Sequence, residues 1–162
     1  QKKKKMGKKY IIIRKAKVTD SSHIKNLVND YANQGLMLPI SINQIYEGMR
    51  NFSVIEKNGR VIGCGALKIV WKDLAEIRSV AIAPAHKKKG YGNVLINELL
   101  EEARSLNLKK VFVLTYVPDF FEKFGFEKIQ KSKLPHKVWI DCINCPKFPK
   151  CDEIALRKNL LK

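Results

Sequence analysis

The sequence predicts a mixed α/β (α+β) domain whose central sheet is mostly antiparallel and flanked by helices. Two observations carry that expectation. Two apolar runs, 52–57 and 60–67, flank Asn58-Gly59, the dipeptide that a type I′ hairpin turn favours. Around this hairpin, segments with apolar residues every three or four positions alternate with short β-branched runs, so helices interleave with strands. With 162 residues, no internal repeat and no Pro/Gly-rich linker, the expectation is one domain over residues 10–162, preceded by a tail over residues 1–9.

The elements follow in order. Tyr10-Ile11-Ile12-Ile13 is β-branched and apolar and predicts a first strand. Asp20-Ser21-Ser22 can cap a helix whose Ile24, Leu27, Val28, Tyr31 and Ala32 share one face, with Gly35 closing it. Ser41 caps a shorter helix carrying Ile42, Ile45, Tyr46 and Met49. After the hairpin, residues 75–83 are β-branched and end before Pro84, which predicts a strand. Residues 90–106 predict a helix, with Val94, Leu95, Leu99, Leu100 and Ala103 on one face and Glu98, Glu101, Glu102 and Arg104 largely opposite. A buried-type strand over 110–115, a short helix over 119–124 and a strand over 126–130 come next. Residues 131–151 lack periodicity, and 153–157 can return as a last strand.

Charge is the outlier. Lys and Arg number 32 against 15 Asp and Glu, a net of +17, which directs attention to anionic partners. Residues 1–17 hold nine cations and no acid, so more than half of the excess lies at one end. The run Lys2-Lys3-Lys4-Lys5 with Lys8-Lys9 reads as a solvated, disordered tail. It lacks interleaved aromatics and the remaining charge is scattered, so a nucleic-acid partner is not expected. The longest weakly charged apolar stretch, 61–71, is broken by Lys68 and is too short to span a bilayer. Four cysteines, three of them clustered, do not make a secreted disulfide framework, and a cytoplasmic location is expected.

Chemistry concentrates in Val80-Ala81-Ile82-Ala83-Pro84-Ala85-His86-Lys87-Lys88-Lys89-Gly90-Tyr91-Gly92-Asn93. The segment leads from a strand through a basic turn into a helix. Its glycines admit close approach of a ligand, and the unpaired N–H groups of a helix start beside lysines suit a pyrophosphate. It is neither a Walker A loop nor a dinucleotide fingerprint, because the Lys-Ser/Thr pair and the third glycine are missing.

This segment resembles the acetyl-CoA signature of the GNAT N-acetyltransferases, with Lys87 where Gln or Arg is usual. Asp119-Phe120-Phe121-Glu122-Lys123-Phe124-Gly125-Phe126 is similar to the later helix-Gly-Phe motif of that superfamily. Within it, the chain resembles the short bacterial N-acetylglutamate synthases. The matching pieces are Gly35-Leu36-Met37-Leu38-Pro39, Gly63-Cys64-Gly65-Ala66-Leu67, Leu74-Ala75-Glu76-Ile77-Arg78-Ser79-Val80 and Val113-Leu114-Thr115-Tyr116, with Leu134-Pro135-His136-Lys137-Val138-Trp139 leading to Cys151-Asp152-Glu153. Ile40 stands where members of that group often carry a basic residue.

The resemblance implies a GNAT fold and acetyl-CoA as co-substrate. It implies main-chain contacts from Val80, Ala81 and Ile82 to the pantetheine arm. Lys87, Lys88, Lys89, Gly90, Tyr91, Gly92 and Asn93 would cradle the pyrophosphate. Glu76 would be the general base, and half burial beside Ile77 and Val80 would raise a carboxylate pKa toward a useful range. Phe121 occupies the position where many relatives place an acidic Tyr, so the proton for the leaving thiolate must come from Thr115, Tyr116 or solvent. Arg78 can clamp a carboxylate bidentately and shares a strand face with Glu76 if no bulge intervenes; Lys137 and Lys150 are further candidates.

Cys142, Cys145 and Cys151, with His136 upstream, have partial metal-site spacing. Structural zinc, free thiols and a disulfide stay open there, and no catalytic metal is expected. The function expected is acetyl transfer from acetyl-CoA to the α-amine of a small amino acid, foremost L-glutamate, at the start of arginine biosynthesis. The alternatives are another amine acceptor (a protein N-terminus, a lysine or a polyamine) or a basic nucleic-acid-binding module with a vestigial CoA site. The expected partner is a small-molecule amine rather than a membrane, and a homodimer is an open option.

Overall fold

The computed structural model describes residues 1–135 and 151–160. Among the described residues eight strands form one sheet: β1 (Lys2–Met6), β2 (Lys9–Lys15), β3 (Phe52–Lys57), β4 (Arg60–Trp71), β5 (Leu74–Ile82), β6 (Lys110–Thr115), β7 (Glu127–Ile129) and β8 (Ile154–Asn159). Their spatial order is β1-β2-β3-β4-β5-β6-β8-β7, and every neighbouring pair is antiparallel except β5–β6. Four α-helices join them: α1 (Ser21–Ala32), α2 (Ile42–Glu47), α3 (Tyr91–Ser105) and α4 (Pro118–Glu122). The mixed, mostly antiparallel architecture expected from the sequence is the one observed.

Where the sequence suggests a tail, the structure has a strand: Lys2–Met6 pairs along β2, from Lys2↔Ile13 to Met6↔Lys9. Main-chain pairing does not depend on side-chain charge, and here the lysines have somewhere to go. Lys2 Nζ lies 3.0 Å from both Glu98 Oε2 and Glu101 Oε2 on α3, and Lys3 Nζ sits 4.6 Å above the Tyr10 ring. Met6 packs against the main core. A second difference is the length of β4, which runs on past Leu67 to Trp71 because Lys68 pairs with Glu76 across β5 instead of ending the strand.

The alternation of side chains splits the sheet's burial between two faces. On one face Ile11, Ile13, Ile55 and Leu67 meet Leu95, Ile96 and Leu99 of α3, all buried. Each such side chain contributes about 1.5–3 kcal/mol when fully buried. The approach of α3 is close enough that a Cβ at Gly65 would lie 3.2 Å from both Leu95 and Leu99. On the other face Val54, Cys64, Ala66 and Ala81 pack against Ile24, Val28 and Tyr31 of α1 and Ile45 of α2. As the sequence suggests, Ser41 caps α2, accepting from the Gln44 N–H at 3.2 Å.

One ion cluster fastens α1 to the sheet. Arg14 on β2 grips Asp20 bidentately at 2.7 and 3.0 Å, and its Nε reaches Glu56 Oε2 at 3.1 Å. Arg14 and Asp20 are 12% and 7% exposed, so water screens little of this attraction. The Arg14 hydrogen bond, joined by one from the Lys17 N–H, outweighs burial and holds the Asp20 carboxyl below its ordinary range.

Candidate active site

The site exists because β5 and β6 part company. Their parallel pairing covers only Leu74↔Lys110, Ala75↔Val111 and Glu76↔Phe112. Beyond Glu76, the main-chain groups of β5 that face β6 have no strand to bond to. A cavity of about 1080 Å³ opens in the gap, walled by residues 76–82 on one side and 113–117 on the other. Its length runs from the loop between α1 and α2 to the start of α3.

A bulge sharpens the opening. Cys64 pairs with Ala81 and Ala66 with Arg78, so Ser79 and Val80 together face Gly65. Ser79 takes the left-handed φ of 56°, rare for a residue with a Cβ, and its carbonyl accepts a 3.5 Å bond from the Cys64 Sγ. The bulge falls after Arg78, so the two-residue alternation holds where it matters. Glu76 and Arg78 share a face, with Arg78 Nη1 3.5 Å from Glu76 Oε1. Glu76 is 8% exposed and lines the cavity. Lys68, in register opposite Glu76, lines the same floor. In the sequence Lys68 only breaks an apolar stretch; its signal as a site residue is the cross-strand register, which the pairing of β4 with β5 supplies.

At the other end, a turn at Pro84–His86 leads into α3. Gly90 takes φ 86°, and no side chain caps the helix. The first bond back along α3 runs from the Val94 N–H to the Gly90 carbonyl at 3.2 Å, which leaves the N–H groups of Tyr91, Gly92 and Asn93 without helical acceptors. Lys87 and Lys88 line the cavity there, and Lys89 stands outside the lining. Lys87 Nζ lies 4.6 Å from the centroid of the Tyr31 ring, and the Tyr31 hydroxyl donates to the Ile82 carbonyl. Tyr31, on the apolar face of α1, is thus also a wall residue of the cavity. Lys57 Nζ donates to Tyr91 Oη at 3.0 Å. Burial, then the charges of Lys57 and Lys89, push the His86 imidazole below its ordinary pKa, which favours the neutral ring.

The walls between these ends carry the remaining candidates. Val80, Ala81 and Ile82 line the cavity, and Ala81 is buried against α1. Thr115 is buried, and its Oγ1 accepts from the Val117 N–H at 3.0 Å, so it shapes the exit of β6. Tyr116 lines the cavity with its hydroxyl shielded from solvent. Phe121 is buried edge-on to Phe120 and Phe126, and a Cβ at Gly92 would meet Phe120 at 3.3 Å. Ile40 reaches the acceptor end, its main chain held both ways by the Asn29 amide at 3.0 and 3.2 Å.

Lys137, Lys150, His136, Cys142 and Cys145 lie outside the described residues. Cys151 is half-buried, with its Sγ 3.9 Å from Glu153 Oε1. Among the described residues no group of three or more His, Cys, Asp or Glu side chains could hold a metal ion, and no helix is long and apolar enough to cross a membrane.

An elongated trench with unpaired main-chain groups along one wall and three free N–H groups beside lysines at one end fits a long ligand carrying a pyrophosphate. A buried carboxylate between two cations at the opposite end fits a small polar acceptor. Comparison with known proteins identifies the family. Residues 25–126 match the acetyltransferase (GNAT) family. An uncharacterised N-acetyltransferase of Chlorobaculum tepidum is 40% identical over 148 residues, 91% of this chain and 96% of its own length. An amino-acid acetyltransferase of Mycobacterium tuberculosis is 39% identical over 79% of this chain and 75% of its own. Among solved structures, Rv2747 of M. tuberculosis in complex with CoA superposes with a TM-score of 0.81 at 32% identity, covering 93% of this chain and 99% of that one. The N-acetylglutamate synthase of Neisseria gonorrhoeae, complexed with coenzyme A and N-acetyl-glutamate, gives a TM-score of 0.86 at 27% identity over 94% of this chain. The match spans 35% of that longer protein.

Proposed function

The chain belongs to the GNAT acetyltransferase family, and from that premise we propose that it acetylates the α-amine of L-glutamate, in the cytoplasm, as an early step of arginine biosynthesis. One observation carries the choice of a dicarboxylate: Glu76 sits on the cavity floor with Arg78 and Lys68 on its own sheet face. Two cations beside one carboxylate suit an acceptor with two carboxylates and one amine, and they disfavour a polyamine by like-charge repulsion. The named relatives that act on amino acids, and the gonococcal enzyme crystallised with N-acetyl-glutamate, support the same reading.

Acetyl-CoA supplies an acyl group already activated as a thioester. The chain's residues do the rest. Lys87, Lys88 and the N–H groups of Tyr91, Gly92 and Asn93 hold the pyrophosphate, with Lys89 adding to the local positive field. Main-chain groups of Val80, Ala81 and Ile82 along the cavity wall align the pantetheine arm, and the Val80 N–H at the Ser79 bulge holds the thioester oxygen. Arg78 and Lys68 hold the acceptor's carboxylates, with Lys137 and Lys150 as further candidate cations. Glu76 takes the proton of the acceptor's ammonium, directly or through one water, so that the amine can attack. Tyr116 returns a proton to the departing thiolate; Thr115, committed to the Val117 N–H as acceptor, can still donate and is the alternative acid.

Release of free CoA thiol from acetyl-CoA, followed with glutamate, glutamine, aspartate, spermidine and short peptides, tests the reading. Glutamate should give the highest kcat/KM. A preference for spermidine or a peptide amine would replace the acceptor assignment.

A further inference from the structure

Lysines in this molecule are held in two different ways. Away from the cavity they meet carboxylates: Lys2 reaches Glu98 and Glu101 at 3.0 Å, and Lys15 reaches Glu102 at 3.0 Å. At the α3 end of the cavity they meet tyrosines instead. Lys87 Nζ stands 4.6 Å from the centroid of the Tyr31 ring, and Lys57 Nζ stands 5.5 Å from that of Tyr91. Among the described residues, Lys57, Lys87, Lys88 and Lys89 form no ion pair.

The two kinds of partner have opposite consequences for an anion. A carboxylate fixes an ammonium but cancels its charge, and an incoming phosphate has to displace it. The face of an aromatic ring attracts an ammonium through its quadrupole and carries no net charge, so the held cation keeps its attraction for a phosphate. Lysine has a flexible four-carbon stem, and fixing it before the ligand arrives lowers the ordering cost of binding.

Tyr31 is itself firmly seated. It is 8% exposed, belongs to the core between α1 and the sheet, and its hydroxyl donates to the Ile82 carbonyl. Ile82 is the last residue of β5 and Lys87 follows the Pro84–His86 turn, so one side chain touches the chain on both sides of that turn. Tyr31 and Lys87 both line the large cavity. Resting on the acetyl-CoA reading, we propose that Tyr31 is a positioning residue for the pyrophosphate: its ring holds the Lys87 ammonium in place without cancelling its charge.

Calorimetric titration with CoA tests this through a double-mutant cycle on Tyr31 and Lys87. Tyr31→Leu should weaken CoA binding about two- to fivefold, the worth of a cation–ring contact at an exposed lysine. Lys87→Met should weaken it about tenfold by removing a charge-assisted bond to phosphate. In the Lys87→Met background the Leu substitution should cost almost nothing more, because no ammonium is left to position. Tyr31→Phe, which keeps the ring, should recover most of the affinity that Tyr31→Leu loses. In turnover, the Tyr31→Leu loss should fall on the acetyl-CoA KM rather than on kcat. A second measurement does not require the Leu variant to fold: in the NMR spectrum of the free wild-type protein, the ring current of Tyr31 should move the Lys87 ε-methylene protons upfield of their random-coil position. Losses that multiply in full across the cycle, a Phe variant as weak as the Leu variant, or an unshifted Lys87 would overturn the role of Tyr31 and leave the acetyl-CoA reading standing. Failure of the wild type to bind CoA would overturn both.

Discussion

The two ends of the large cavity are built from different materials. At the α3 end the chain offers mostly main chain: a left-handed Gly90, three helix-start N–H groups and the unpaired edge of β5. At the Glu76 end it offers side chains: a carboxylate, a guanidinium and an ammonium standing on adjacent strands. Main-chain geometry is set by a few residue types at fixed spacing, so it can be carried by a short motif. Side-chain constellations depend on strand register and can be rearranged one residue at a time. On the proposed function, the first end is then a general acyl-carrier grip and the second the place where the acceptor is chosen.

Substitutions at the two ends should therefore separate cleanly. The largest expected effect is at Glu76. Glu76→Gln keeps the shape and removes the base, and kcat should fall about 10²–10⁴-fold with the CoA Kd unchanged. Stopped-flow thiol release and CoA titration read the two quantities independently, and an unimpaired kcat would remove Glu76 from the mechanism. Arg78→Gln comes next, raising the glutamate KM about tenfold or more through loss of a charge-assisted bond and leaving CoA binding within twofold. If CoA affinity dropped as far as glutamate affinity, the two ends would not be independent. At the opposite end, Gly90→Ala forces a Cβ into a left-handed φ of 86°, which costs about 1–2 kcal/mol. CoA affinity should weaken by about tenfold while the glutamate KM barely moves.

The smallest effect is on stability, away from both ends. The Arg14–Asp20 pair anchors α1, which carries Tyr31 to the cavity wall. Because the folded-state pKa of Asp20 lies below its unfolded value of about 3.9, the pair contributes fully above that pH. Its contribution is lost as pH falls through the lower, folded value. Thermal melts of wild type should drop across this acid range, and Asp20→Asn should start lower at neutral pH and fall less steeply below pH 4. Parallel curves for the two proteins would show that the pair does not govern acid stability.

The same contrast explains what the sequence made legible. Gly90 and Gly92, placed after a strand and beside lysines, announce the phosphate end because local chemistry suffices there. The hairpin at Asn58-Gly59 and the faces of α1 and α3 are legible for the same reason, being short-range patterns. Glu76 and Arg78 were visible as a pair two apart on a strand, and the bulge that could have separated them lies just beyond, at Ser79. Lys68 was not visible, since its place beside Glu76 depends on the pairing of β4 with β5, and in sequence it only interrupts an apolar run. Tyr31 was read as core because helical periodicity reports burial without saying that the neighbouring void is a binding site. The lysines of β1 are exposed, as the sequence suggests, but their strand was not visible, since the acidic partners of Lys2, Glu98 and Glu101, lie nearly a hundred residues away.

That lysine strand has one more consequence. β1 is the outer edge of the described sheet, and a sheet edge is a template on which another molecule's strand can grow. Here the template carries four consecutive lysines, so any identical edge that approaches it meets a dense charge of the same sign. The strand completes the sheet and at the same time discourages its extension, and this protection against edge-to-edge assembly weakens as salt screens the lysines.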